Sequence, residues 1–382
     1  FLIALAVATI WLVAHGFNQA EQVAVQHSAD SLQSLSQANL IQLTRLEAQL
    51  FDAELQTAAQ VTQIAADSMV RFHETGQSTD WAKSTLPVVW NASQLTLSPD
   101  GLLYYDANPA RRTEILHPGN ILPDASIDHN LHDSAVLDEL FPSLLAQVKT
   151  GVGIYYQGPQ LTFRYYPVRN LPQVEIENGA AEAAQTTHIE DFSVAPGHNP
   201  ERKTIWLPPY VDDAGQGLLV SANTPIYYEN DFQGYIGIDV SLARMIDRVN
   251  TLQPTNGSFA FLMDGEGRLI AAPPQGAALL IDPSLSTQQA SSAGLLGLPL
   301  TDKDPVLATV LTAVAQRATG AAQGAMGGEM RLITYAPLPE MGWSLSVVVP
   351  IKEVTAESQT VMEVIRRDAI GTVRSTLLIM AV

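Results

Sequence analysis

The 382-residue chain carries 39 acidic against 20 basic residues, a formal charge of -19, with no cysteine and a charged fraction of only 15%. That balance repels phosphate backbones and excludes nucleic acid as a natural partner. The missing thiols exclude disulfide frameworks, thiolate catalysis and cysteine-held metal centres while leaving the compartment open, and the length supplies a core that needs no cofactor or metal to fold.

Residues 1–17 open with Phe1 to Ala14, FLIALAVATIWLVA, uncharged and proline-free but shorter than the roughly 20 residues of a complete span. The expectation is the end of a first transmembrane helix; a cleaved signal peptide or a buried helix are the alternatives. Over residues 18–78 apolar positions recur at Leu32, Leu35, Leu43, Leu46, Leu50, Leu55, Ile64 and Met69, at spacings of three, four and their sums, which predicts one long spine helix. Its lower part, Gln19 to Ala38, either pairs with a second subunit or stays solvated in a monomer.

Residues 79–252 alternate strand-like runs with turn clusters and form a first α+β unit. The runs are Pro87 to Asn91, Leu95 to Tyr105 around Ser98-Pro99-Asp100-Gly101, Gly153 to Tyr156, and Leu161 to Val168. Asp133 to Thr150 has a helical pattern, and Val174 to Gly197, without steady period, is expected to be a surface insertion. Leu218 to Tyr228 and Phe232 to Val240 predict a hairpin around Glu229-Asn230-Asp231, followed by a helix from Ser241 to Leu252. Residues 253–350 predict a smaller unit of the same kind: a hairpin across Asp264-Gly265-Glu266-Gly267, a helix from Asp304 to Ala318, and strands Glu329 to Ala336 and Trp343 to Val349. Residues 351–374 have the composition of an exit helix. Residues 375–382, STLLIMAV, resemble the start of a second transmembrane helix, and the low Lys/Arg content between two spans suits the face away from the cytoplasm.

Among candidate functional residues, Asp239 stands in the apolar run Ile236 to Val240, where an ionised carboxylate is costly unless something pairs with it. Either a cationic ligand or the protein's own donors fill that role. Asp212 and Asp213 follow the stiff Pro208-Pro209-Tyr210 and either face a ligand or make an Asx turn. Trp206, Tyr210, Tyr227 and Tyr228 offer cation-π faces. Arg164 sits in the aromatic strand Phe163-Arg164-Tyr165-Tyr166, where it either meets a ligand anion or pairs internally, with Asp239 the expected partner. One of Tyr104 and Tyr105 lines a cavity or both belong to the core. His129 and His132, flanked by Asp128 and Asp133, lack a further spaced ligand, so no metal site is expected. G-x-S-x-G, phosphate-cradling glycine loops and H-E-x-x-H are absent from the sequence, which leaves no positive sign of catalysis.

Two stretches resemble the double-Cache family of bacterial sensor domains: W-L-P-P-Y-V-D through F-Q-G-Y-I-G-I-D-V-S-L, between Trp206 and Leu242, and Tyr335-Ala336-Pro337-Leu338-Pro339-Glu340-Met341-Gly342-Trp343-Ser344-Leu345. The resemblance implies an α+β fold in which a long N-terminal helix carries two PAS-like antiparallel-sheet Cache units in series, flanked by membrane helices. The first unit would be membrane-distal and ligand-binding, the second membrane-proximal. In amino-acid-binding members a Y-x-D pair and a later aspartate in a G-x-D strand hold the ligand ammonium; Tyr210 with Asp212, and Asp239, match these positions. The R-x-W-Y stretch that clamps a carboxylate has no match: Asn199 to Ile205 offers only Arg202. Together with the residue chemistry, the resemblance predicts a periplasmic small-molecule sensor on the bacterial inner membrane, expected as a homodimer, that takes a small amine or amino-acid-like ligand at Asp239, Tyr210, Asp212, Trp206, Arg164, Tyr227, Tyr166 and Arg202. Its output would be a histidine kinase, chemoreceptor, diguanylate cyclase or phosphatase. The alternative is a ligand-free dimerisation or protein-interaction module.

Overall fold

Helix-favouring alanine, leucine and glutamine without an internal proline build α1, Leu2–Thr75, as one unbroken helix. No break separates residues 2–17 from the spine. The computed structural model describes residues 2–75, 89, 91–212, 215–251, 254–281, 297–301 and 304–354. Two units emerge, Leu50–Arg248 and Phe1–Gln49 with Val249–Val382. Among the described residues no helix is long and apolar enough to cross a membrane. The expected second span, residues 375–382, and most of the exit helix lie outside the described residues, as do most of the Pro87 to Asn91 run and Asp213.

The first unit holds a nine-stranded antiparallel sheet. Its strands are β1 Thr96–Leu97, β2 Leu103–Tyr105, β3 Glu114–Pro118, β4 Gly151–Gln157, β5 Phe163–Tyr166, β6 Ile205–Trp206, β7 Tyr210–Asp212, β8 Gly217–Tyr228 and β9 Asp231–Ser241. The order is β1-β2-β3-β5-β4-β9-β8-β6, with β7 also on β8. One face packs on α1 and on helices α2, Ala125–Ser134, and α3, Leu137–Leu145. Phe51, Leu55, Ala58, Thr62, Ala65, Met69 and Phe72 of α1 are buried at helical spacing, and Thr62 meets Thr224 of β8 through hydroxyls 2.7 Å apart.

The opposite face is covered by what the sequence suggested was a surface insertion. Instead, α4, Leu171–Glu177, and α5, Ala180–Ala184, with a 3-10 turn at Ile189–Asp191, form a roof. Leu171, Ala181, Ile189 and Val194 pack on Leu103, Leu116, Tyr155, Tyr165 and Tyr235 of the sheet. Strand β3 was not legible either, being short and ended by a proline.

In the second unit β10 Phe259–Met263, β11 Leu269–Ala271, β12 Gly320–Met326, β13 Glu329–Leu338 and β14 Trp343–Pro350 make a five-stranded antiparallel sheet ordered β11-β10-β14-β13-β12. Alternation in β13 sends Thr334 to one face, where its hydroxyl lies 2.6 Å from that of Thr44 in α1. Ile333 and Tyr335 go to the other, against Val306, Leu307, Val310 and Val314 of the helix Pro305–Ala315. Edge strand β12, GAAQGAM, has no alternating apolar pattern, so its sequence does not announce it.

Candidate functional site

Ser221 of β8 and Asp239 of β9 face each other across the ladder. The Ser221 hydroxyl donates to Oδ1 of Asp239 at 2.7 Å and the Tyr210 hydroxyl reaches the same oxygen at 3.3 Å, while the two hydroxyls lie 2.8 Å apart. Both donors converge on one oxygen; Oδ2 accepts no hydrogen bond among the described residues. Asp239 is only 5% exposed. Burial pushes its carboxyl up to about 7, with nearby Asp212 pushing the same way; the Ser221 and Tyr210 hydrogen bonds and the charge of Arg169 pull against this. No lysine, arginine or histidine among the described residues forms an ion pair with it.

Beside Asp239 lies a cavity of about 190 Å³, lined by Tyr155, Phe163, Tyr165, Tyr210, Tyr235 and Gln216, with Asp212, Glu175 and Leu171 at its wall. Pleating explains the gathering: Tyr155, Tyr165 and Tyr235 fall on the same face as Asp239. Gly153 and Gly237 stand on that face too, and a Cβ at either would overlap the ring of Tyr165 or Tyr155 respectively. Those two glycines let the rings lie against the sheet. Desolvation raises the pKa of Tyr155, Tyr165, Tyr210 and Tyr235, and the charge of Asp239 adds to it, so all four remain neutral hydroxyls. Gln216 donates through Nε2 to the Tyr165 hydroxyl at 3.1 Å, and its buried Oε1 has no hydrogen-bond partner among the described residues.

Glu114 fixes the start of the roof. Its carboxylate, 1% exposed, accepts from the Arg169 and Leu171 amides at 2.8 and 3.1 Å and pairs with Arg111 at 3.2 Å.

Of the residues singled out by sequence, Asp239, Tyr210 and Asp212 come together at this cavity. Asp212 also accepts from the Gln216 amide at 2.9 Å, closing the turn between β7 and β8. The others lie elsewhere. Arg164 is fully buried on the opposite face and pairs with Asp138 of α3, not with Asp239; it also donates to the carbonyls of Val89 and Leu131 at 3.1 and 3.2 Å. Tyr166 shares its parity, and so its face. Trp206 pairs with Ala222, whose side chain points away from Ser221 and Asp239. Arg202 sits 4.0 Å over the Tyr227 ring and caps the β8–β9 turn through the Glu229 carbonyl, away from the cavity. Tyr104 and Tyr105 line neither this cavity nor its neighbour under the roof, whereas Leu103 lines the latter. His132 and His73 both contact Asp133, at 3.1 and 2.7 Å, while His129 lines a separate cavity of about 300 Å³. Among the described residues no three ligand-type side chains gather as a metal site.

Tyr235 was within reach of the sequence, since it precedes Asp239 by four positions in one strand and must share its face. By the same parity Tyr165, not Arg164 or Tyr166, faces the roof once the β4–β5 register is known.

An antiparallel sheet roofed on one face, with a buried carboxylate beside a small polar cavity under that roof, defines an α+β module with a candidate ligand site. The family model dCache_1, a Cache domain, matches residues 119–358, more than half of the chain, and the chain belongs to that family. Similar solved structures include the ligand-binding domain of Mlp24 with asparagine, 15% identical with a TM-score of 0.43, covering 88% of this chain and 99% of that one. Another is the ligand-binding domain of the Pseudomonas aeruginosa PAO1 amino-acid chemoreceptor PctC with GABA, 14% identical with a TM-score of 0.44, covering 82% and 99%. A third is that of the Pseudomonas fluorescens chemoreceptor CtaA with L-isoleucine, 14% identical with a TM-score of 0.44, covering 86% and 98%.

Proposed function

We propose that the chain is the extracytoplasmic sensing module of a bacterial signal-transduction receptor, and that its first unit binds the ammonium group of a small amine or amino-acid-like compound against Asp239. One observation carries this reading: a buried carboxylate with no basic partner among the described residues, one oxygen bound by two hydroxyls and the other left for a visitor. An ammonium brings three donors. Asp239 Oδ2, Gln216 Oε1 and the Asp212 carboxylate are acceptors for them, and the tyrosine rings add cation-π attraction.

Among the described residues the cavity lining holds no lysine, arginine or histidine. This favours an amine over a zwitterion that needs its carboxylate clamped. Catalysis has no part in the reading; the output, of the histidine kinase, chemoreceptor, cyclase or phosphatase kind, belongs to other parts of the receptor. The uncharged stretch Phe1 to Ala14 supports attachment to the membrane. Leu35 and Leu46, exposed on one side of α1 at a spacing of three turns, support pairing with a second copy.

A thermal-shift screen of primary amines and amino acids tests the reading. Compounds that bind the folded state raise the melting temperature of the wild-type chain and leave Asp239→Asn unmoved. A panel without any stabiliser, or an equal shift in the variant, overturns it.

A further inference from the structure

The cation cavity adjoins a second chamber. Phe163 and Glu175 line both, and the second chamber measures about 280 Å³. Its mostly apolar walls include Leu103 and Leu116 from the sheet, Phe163 and Phe192, and the small Ala180 and Ala184 of the roof, with Gln157 and Thr187 as polar neighbours. His117 also faces it, yet presents no charge: its Nδ1 and Nε2 lie 3.0 and 3.1 Å from the Thr162 hydroxyl and the Ile121 carbonyl, and burial lowers its pKa. Glu175, where the two chambers meet, is the one carboxylate on its wall among the described residues. The roof alanines matter, because larger side chains at the same positions would fill the space they leave.

We propose that the ligand is a primary amine bearing an apolar tail about the size of a phenylethyl group, with its ammonium at Asp239 and its tail under α4 and α5. This rests on the cation site and adds the chemical class of the group attached to the ammonium. An apolar cavity of about 150 Å³ is enough to hold benzene, so this chamber has room for an aryl-alkyl group. Burying each methylene of the tail raises affinity about fourfold.

Calorimetric titration of the full chain with methylamine, butylamine and phenethylamine reads this directly. Butylamine is expected to bind about sixtyfold more tightly than methylamine, three methylenes compounded, with phenethylamine at least as tight. Ala184→Phe, which fills the chamber, is expected to weaken phenethylamine about tenfold or more and to leave methylamine within about twofold. Phe192→Ala, which removes one wall, gives the same discrimination through lost contact, about tenfold on phenethylamine alone, and serves if the first variant fails to fold. Equal affinities along the series, or variants that weaken methylamine as much as phenethylamine, overturn the tail chamber while leaving the cation site standing. Failure of every amine, methylamine included, overturns both.

Discussion

The Ser221 hydroxyl lies 2.7 Å from Oδ1 of Asp239, directly across the β8–β9 ladder. It is the nearer of the two donors that favour the charged form of the carboxylate. Ser221→Ala leaves Tyr210 alone at 3.3 Å, so Asp239 takes up its proton more readily. The expected outcome is an amine affinity lower by about tenfold at neutral pH, the worth of one hydrogen bond to a charged group, recovered in part at higher pH. An affinity equal to wild type at all pH values would show that the pair plays no part in holding the ligand.

Stability of the ligand-free protein should fall as pH rises. Burial moves the Asp239 carboxyl from 3.8 to about 7, so over this interval the unfolded chain has released the proton that the folded chain keeps. The stabilisation is complete below the lower value and is lost as pH rises through the upper one. Urea midpoints measured at about pH 5 and about pH 8 are expected to drop more in wild type than in Asp239→Asn. Parallel losses in the two proteins would mean that other groups set the dependence.

Arg164 and Asp138 form a buried ion pair on the helix side of the sheet. Arg164→Met strands the Asp138 carboxylate and is expected to cost about 3–5 kcal/mol in urea denaturation, whereas Arg164→Met with Asp138→Leu regains most of it. A double variant as unstable as the single would show that the arginine's bonds to the Val89 and Leu131 carbonyls matter more than its charge partner.

Glu114 never meets the cavity, yet it ties down the chain that leads into the roof. Glu114→Ala leaves the Arg169 and Leu171 amides without their acceptor. The expected result is faster proteolysis within residues 171–197 and weaker amine binding with Asp239 untouched, at a stability cost of about 2–4 kcal/mol. Unchanged cleavage and affinity would mean that α4 and α5 hold the roof by packing alone.

Much of this was legible in the sequence wherever local pattern and tertiary placement agree. The β8–β9 hairpin shows itself because two long apolar runs flank a polar turn, and Asp239 shows itself because a charge interrupts one of them. Arg164 was misplaced for a physical reason: composition reveals that a buried guanidinium needs a carboxylate, but not that α3 carries one to the opposite face. The roof was unreadable because four scattered residues, Leu171, Ala181, Ile189 and Val194, do its packing with no period between them. The roles of Gly153 and Gly237 depend on where two tyrosine rings lie, and those rings are placed by strand register, which a single strand's sequence does not contain.

Whether the Asp239 carboxylate receives a cation is measured at the atom concerned by carbon NMR of the aspartate side-chain carboxyls, with Asp239→Asn to assign the resonance. The free protein should titrate at about 7, and saturation with phenethylamine should pull that midpoint down by at least about one unit, since a bound ammonium favours the charged form. A midpoint that stays put when the amine is bound would contradict a cation at this carboxylate.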